Sequence, residues 1–122
     1  MPEEKPNNKS KYDLEERTFK FAQEVRKFIN CIPKKLAYLD DMKQLLRSSG
    51  SIGANYIEAN EHMSDVDFLY RIKICRKEAK ETIFWLKLLE LDAHFDDFKS
   101  VLILEATELM NIFGAIYRKK QK

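Results

Sequence analysis

Between Phe68 and Leu89 the residues Phe68, Ile72, Cys75, Ala79, Thr82, Leu86 and Leu89 recur at alternating steps of four and three without a break. That spacing puts all seven on one stripe of an α-helix for more than five turns, whereas a strand would bring every second residue to one face. A stripe of this kind is stable only when other apolar surface covers it. The chain supplies three more segments with the same period. The first carries Leu14, Thr18, Phe21, Val25, Phe28 and Ile32, with Asp13 and Glu16 in the order of a capping box and Pro33 as its stop. The second carries Met42, Leu45, Ser49, Ile52, Tyr56, Ala59 and Met63. Ser64 or Asp65 caps the third helix, the seam already described, which breaks around "LDAHFDD". Asp96 or Asp97 then opens a fourth with Phe98, Leu102, Leu109, Ile112, Phe113 and Ile116 inward. Four helices of similar length joined by short loops predict an all-α, antiparallel, up-down-up-down four-helix bundle. The expected bundle spans residues 13–119, between a flexible arm at 1–12 and a basic tail at 120–122. At 122 residues with only three glycines and three prolines, the chain has material for one helical domain and little for hairpins.

The net charge of +2 excludes a uniformly basic protein, but the charges are unevenly spread. Arg71 to Lys80 holds five basic residues and one acid, and Arg118 to Lys122 four and none; Glu90 to Glu108 holds six acids and one lysine. The surface is therefore expected to be electrostatically divided. Cys31 and Cys75 have no CxxC or Cys/His spacing and fall at or beside the stripes, which predicts two reduced core thiols. The polar opening "MPEEKPNNKSKY" is unlike a signal peptide, and no apolar run approaches the ~18 residues of a membrane span. The expectation is a cytoplasmic protein with no membrane partner.

The stretch "RSSGSIGANY", Arg47 to Tyr56, stands against the pattern, with two glycines and three serines inside the second helix. Each interior glycine costs roughly 1 kcal/mol relative to alanine. Ser49 keeps the seam in phase, while Leu46, Gly50, Gly53 and Ile57 form a second stripe beside it. The unbroken phase favours a continuous helix over a loop at Ser48 to Ser51. The run Ser49, Gly50, Gly53, Ala54 and Asn55 then marks a place where helices or subunits approach closely. Two roles fit Asn55: a buried hydrogen-bonded residue that sets helix register, and a ligand contact.

Catalytic and metal chemistry find little support. A di-iron bundle needs a Glu-x-x-His pair on each of two helices, and the residues three before His62 and His94 are Ala59 and Leu91. Glu58 and His62, four apart, suit a surface contact better than half a metal site. No strand-turn-helix serine occurs, neither cysteine has a histidine near it in sequence, and the Gly/Ser run lacks phosphate-loop spacing. No enzyme activity, metal or cofactor is expected.

More promising is "RIKICRKEAK", in which Arg71, Lys73, Arg76, Lys77 and Lys80 lie off the seam. Three- and four-residue spacing on one arc can follow a phosphate backbone. The bland alternative is a solvated helix face, partly neutralised by Glu78 and Glu81. Helices three and four also carry apolar residues beyond their seams, namely Phe84, Trp85, Leu88 and Leu91, then Val101, Ile103, Leu104, Met110 and Tyr117. Surplus apolar surface of this kind marks an interface.

The block "QLLRSSGSIGANYIEANEHMSDVDFLYRIKICRKEAKETIFWLKLLE", with "YDLEERTFKFAQEVRKFI" upstream, resembles the bacterial four-helix-bundle proteins encoded by intervening sequences of large-subunit ribosomal RNA genes, also labelled an S23 ribosomal protein family. The resemblance covers roughly Tyr12 to Leu91. Ser51, Ile52, Gly53, Ala54 and Asn55 match the family's "SIGAN"; Lys77, Glu78 and Ala79 match its "KEA"; Glu81, Thr82, Trp85 and Leu86 match its "ET--WL". The resemblance implies a bundle that assembles as a ring-like homopentamer, without catalysis, in a family suspected of binding RNA or DNA. It further implies kinship with the accessory variability protein of diversity-generating retroelements, which partners a reverse transcriptase. The family's usual arginines before the third helix are replaced here by Asn60, Glu61, His62 and Met63, which removes positive charge from that end. The combined expectation is a non-catalytic bundle, self-assembled through apolar surface on helices one to three, whose basic face meets structured RNA or DNA. The alternative is a module for a protein partner that makes no direct nucleic-acid contact.

Overall fold

The computed structural model describes residues 6–121, with side chains from residue 13 onward. Four α-helices, α1 (Pro6–Cys31), α2 (Leu36–Asn60), α3 (Asp65–Leu88) and α4 (Asp96–Gln121), account for most of it, with one 3-10 turn at Ala93–Phe95 leading into α4. Each helix packs against the next and α4 returns to α1, while the diagonal helices meet only through side chains in the core, as Tyr56 of α2 meets Phe113 of α4. This is the antiparallel up-down-up-down bundle that short connections impose. The described residues include no strand.

The four stripes face inward as the spacing requires. Leu14, Phe21, Val25, Phe28 and Ile32 of α1 meet Met42, Leu45, Ile52, Tyr56 and Ala59 of α2, all buried. Ile72, Cys75, Ala79, Leu86 and Leu89 complete the core with Leu102, Ala106, Leu109 and Phe113 of α4. Aromatic rings lock the two ends: Phe28 packs edge-on against Phe98 at 5.1 Å between centroids, and Tyr56 meets Phe113 at 5.6 Å. Buried polar side chains in the stripes are satisfied locally, Thr18 donating to the Leu14 carbonyl at 2.9 Å and Thr82 to that of Glu78 at 2.8 Å.

Four expectations need correction. The chain is already helical at Pro6, so Asp13 lies inside α1 and caps nothing; residues 6–12, assigned to the arm, belong to the helix, and residues 1–5 fall outside the described residues. Met63 is 95% exposed, because α2 ends at Asn60 and the chain turns before the stripe reaches it. Cys31 is exposed while Cys75 is buried: Ile32 occupies the inward position at the end of α1 and leaves its neighbour to solvent. Burial pushes the Cys75 thiol up to about 12, so it stays protonated, 3.5 Å from the Ile52 carbonyl. Finally, α4 contains an 18-residue window long and apolar enough, by length and composition alone, to cross a membrane. In the bundle that window's two charges, Glu105 and Glu108, pair across the fold with Arg17.

The Gly/Ser run is helical throughout. Its two glycines differ in kind. A Cβ on Gly53 would lie 3.0 Å from Thr18 Oγ1 and 3.3 Å from Thr18 Cβ, so this glycine lets α1 and α2 approach. A Cβ on Gly50 would meet only the end of the Arg26 side chain, at 4.0 Å. Gly50→Ala therefore gains helix propensity with nothing to displace and raises stability by about 0.5–1 kcal/mol. At Gly53→Ala the same gain is cancelled or reversed, because Thr18 is buried and tied to its own helix. Denaturant midpoints of the two variants, moving apart from each other, check this.

Candidate nucleic-acid interface

The interface begins with a capped helix. Ser64 is extended and accepts a hydrogen bond from the Asp67 backbone N–H at 3.1 Å, which starts α3 one residue later with Asp65 and Asp67 at its positive end. From that start, at about 100° per residue, the buried seam fixes where every other side chain points.

Opposite the seam runs a second stripe with the same alternation of steps: Tyr70, Lys73, Lys77, Lys80 and Phe84, all exposed, extended at its ends by exposed Val66 and Leu88. Three lysines thus lie between two aromatic rings on the outside of the bundle. Among the described residues none of the three lysines is within ion-pair distance of a carboxylate. The acids that share α3 with them are directed elsewhere. Arg47 of α2 donates to Glu78 at 3.0 Å and also bonds Glu81, which in turn accepts from Trp85 Nε1 at 3.2 Å. Glu78 and Glu81 therefore face α2 and leave the lysine stripe unneutralised, against the bland reading of this segment.

The five basic residues singled out in sequence do not form one group. Arg71 turns toward α2, donating to Asn55 Oδ1 at 3.1 Å, so it is a helix-to-helix strut. Arg76 is exposed but leans the other way, toward α4, where its Nε lies 3.4 Å from the position a Cβ on Gly114 would take. Arg118 Nη1 approaches the same position to 3.2 Å. Lys73, Arg76, Gly114, Tyr117, Arg118 and Gln121 together line a pocket of about 220 Å³. From sequence Gly114 was not singled out, Tyr117 counted only as surplus apolar surface and Arg118 only as part of the basic run at the end of α4, which an antiparallel bundle returns to the start of α3. Lys120, bonded to Asp65 at 3.2 Å, makes that return visible.

The small-residue run takes up several roles. Ser49 is buried in the core and Gly53 abuts Thr18, whereas Gly50 is half-buried and Ala54 exposed. Asn55 donates to the Ser51 carbonyl at 2.9 Å and Oγ at 2.8 Å while accepting from Arg71, which ties α2 to α3. A larger concavity lies elsewhere, a groove of about 520 Å³ between α1 and α4, where Arg17, Lys20, Asp13, Glu16, Glu24 and Glu105 mix both signs of charge. Among the described residues no group of three or more His, Cys, Asp or Glu side chains is placed to hold a metal ion.

Comparison with known proteins bears on the family and the fold. The family described as "23S rRNA-intervening sequence protein" matches residues 10–114. The chain belongs to that family. Among solved structures, a protein of unknown function from the S23 ribosomal protein family of Bacteroides thetaiotaomicron superposes with a TM-score of 0.73 at 31% identity, covering 84% of this chain and 96% of that one. No curated protein matches. These relatives bring the four-helix fold and no assigned activity.

The Arg47 clamp has a measurable pH signature. Burial pushes the Glu81 carboxyl up, but the hydrogen bonds from Trp85 and Arg47, with the Arg47 charge, outweigh it and hold the group below the usual carboxylate range. A carboxyl depressed by folding contributes its stability above its unfolded pKa, near 4.5, and loses it as the pH falls through the lower folded value. Arg47→Met removes that support and leaves Glu78 buried without a partner. The variant is expected to be about 1–2 kcal/mol less stable at pH 7, with the gap to wild type closing below pH 4.5; melting temperatures between pH 7 and 3 test it.

Proposed function

We propose that this protein is a non-catalytic, self-associating bundle that binds RNA along the outer face of α3. The observation that carries the reading is the separation of charge on that helix: Lys73, Lys77 and Lys80 stand free between Tyr70 and Phe84, while Glu78 and Glu81 are held by Arg47. Lysines at this spacing neutralise successive phosphates, and exposed rings beside them offer faces on which unpaired bases stack. Such a surface reads backbone and base planes without a base-edge code, which suits loops and single-stranded segments of a structured RNA better than a duplex groove.

Self-association is the second part of the reading. Phe19 shares a side of α1 with Glu15 and Arg26, which contact α2, and Ile57 shares a side of α2 with Gly50 and Gly53, which face α1. Both Phe19 and Ile57 are exposed, as is Leu39. The α1–α2 flank is thus an apolar strip over small residues and a surface for a second copy. A ring of copies, such as the pentamer the family resemblance implies, repeats the lysine stripe around its circumference and multiplies a weak contact through avidity.

Light-scattering mass, measured with and without a structured RNA at low and moderate salt, tests both parts. The expected result is a discrete oligomer that gains mass with RNA and loses it as salt rises. Replacing Lys73, Lys77 and Lys80 by glutamate abolishes that gain while leaving the oligomer, and replacing them by glutamine leaves weaker binding whose slope of log affinity against log salt is shallower by about 2 to 3. An oligomer indifferent to RNA transfers the function to a protein partner, and a monomer removes the α1–α2 interface.

A further inference from the structure

We propose that the pocket over Gly114, between α3 and α4, is a phosphoryl-binding site in which Arg76 and Arg118 grip a phosphate from two sides and Lys73 adds a third cation. Its source as nucleic acid rests on the function proposed above; the site itself does not.

The argument starts from Gly114. A glycine in the interior of a 26-residue helix is costly and needs a reason in its surroundings. At Gly53 the reason is the packing of another helix. At Gly114 the three nearest atoms that an added Cβ would meet all belong to two arginines: Arg118 Nη1 at 3.2 Å, Arg76 Nε at 3.4 Å and Arg76 Cδ at 3.6 Å. The missing side chain therefore makes room for two guanidiniums, one from each helix, against the backbone of α4.

Those two cations share a small volume with no counter-charge. Among the described residues neither Arg76, Arg118 nor Lys73 pairs with a carboxylate, although the same surface does form such a pair one turn away, Lys120 with Asp65. Like charges brought together repel, and the arrangement becomes favourable when an anion sits between them. The negative end of α4 opposes an anion by about half a charge, which three full cations outweigh. A guanidinium presents planar N–H pairs that match two oxygens of a phosphate, and two of them approaching from different helices can each engage oxygens of one tetrahedral group. The pocket, about 220 Å³, holds a phosphoryl group with space beside it, and Tyr117 and Gln121 line that space. A phosphate monoester at the end of an RNA and a diester within its backbone both present this chemistry.

The test is a titration of the full chain with inorganic phosphate at constant ionic strength, following the side-chain Nε–H signals of Arg76 and Arg118 by NMR, with chloride as the control anion. The expected result is a joint, saturable shift of both signals with phosphate and none with chloride. Arg118→Gln weakens phosphate binding about tenfold, the loss of one charge-assisted contact. Gly114→Ala sets a Cβ between the two guanidiniums without changing any charge; the atoms it meets are flexible arginine ends, so the fold tolerates it while the grip on phosphate is disturbed and saturation weakens. Linear shifts without saturation, or shifts unchanged in both variants, overturn the site. A short RNA with and without a 5′-phosphate identifies the source: tighter binding of the phosphorylated form assigns a monoester, and equal binding that both variants weaken assigns the backbone. Phosphate saturation in a protein that ignores RNA keeps the site and overturns the nucleic-acid reading. RNA binding that both variants leave intact, without phosphate saturation, does the reverse.

Discussion

The closeness of α2 to α3 is the constraint from which the rest of the molecule follows. Ser48 on one helix meets Thr82 on the other, both fully buried, with their hydroxyls 2.9 Å apart, and the Cys75 thiol lies 3.5 Å from the Ile52 carbonyl. Side chains this small let the two backbones come together where leucines would hold them apart. Only at that separation does Arg47 reach past the seam to both Glu78 and Glu81. The packing therefore sorts the charges of α3: carboxylates are drawn to the α2 side and lysines remain on the outside. An electrostatic property of the surface is set by the size of residues inside the core.

That chain of causes explains what could be read from the sequence and what could not. The seams were legible because burial follows the helical period directly, and Thr18, Ser49 and Thr82 fell on them in spite of their hydroxyls. Register errors appeared where a helix ended: Met63 continued the period beyond the end of α2, and Cys31 stood one residue from the inward position that Ile32 takes. Ala106 and Phe95 were missed for different reasons, the first because alanine gives a faint periodic signal, the second because it is buried from a 3-10 turn outside any helical phase.

The functional surface was legible only as a charge run. A helical wheel places Arg71 and Arg76 off the seam, but cannot say that Asn55 captures the first and that the second lies over Gly114. Those fates depend on which helix stands on which side of α3. The two glycines of α2 looked equivalent for the same reason, although Gly53 touches Thr18 and Gly50 touches almost nothing. The chain shares this fold, at 31% identity, with a protein of unknown function: the core period transmits the fold, while the surface depends on side chains whose partners come from other helices.

The α1–α4 seam, the most thinly packed of the four, carries a consequence of another kind. It is spanned by Arg17 with Glu105 and Glu108, and beneath that bridge the groove reaches Phe21 and Leu102 of the core itself. Ion pairs at a partly exposed site weaken as salt rises, whereas the apolar seams do not. On this side the ion pairs supplement a thin apolar contact, that of Phe28 with Phe98, and act as a latch. Local opening is expected at this seam before the others, and more often as the ionic strength of the medium rises.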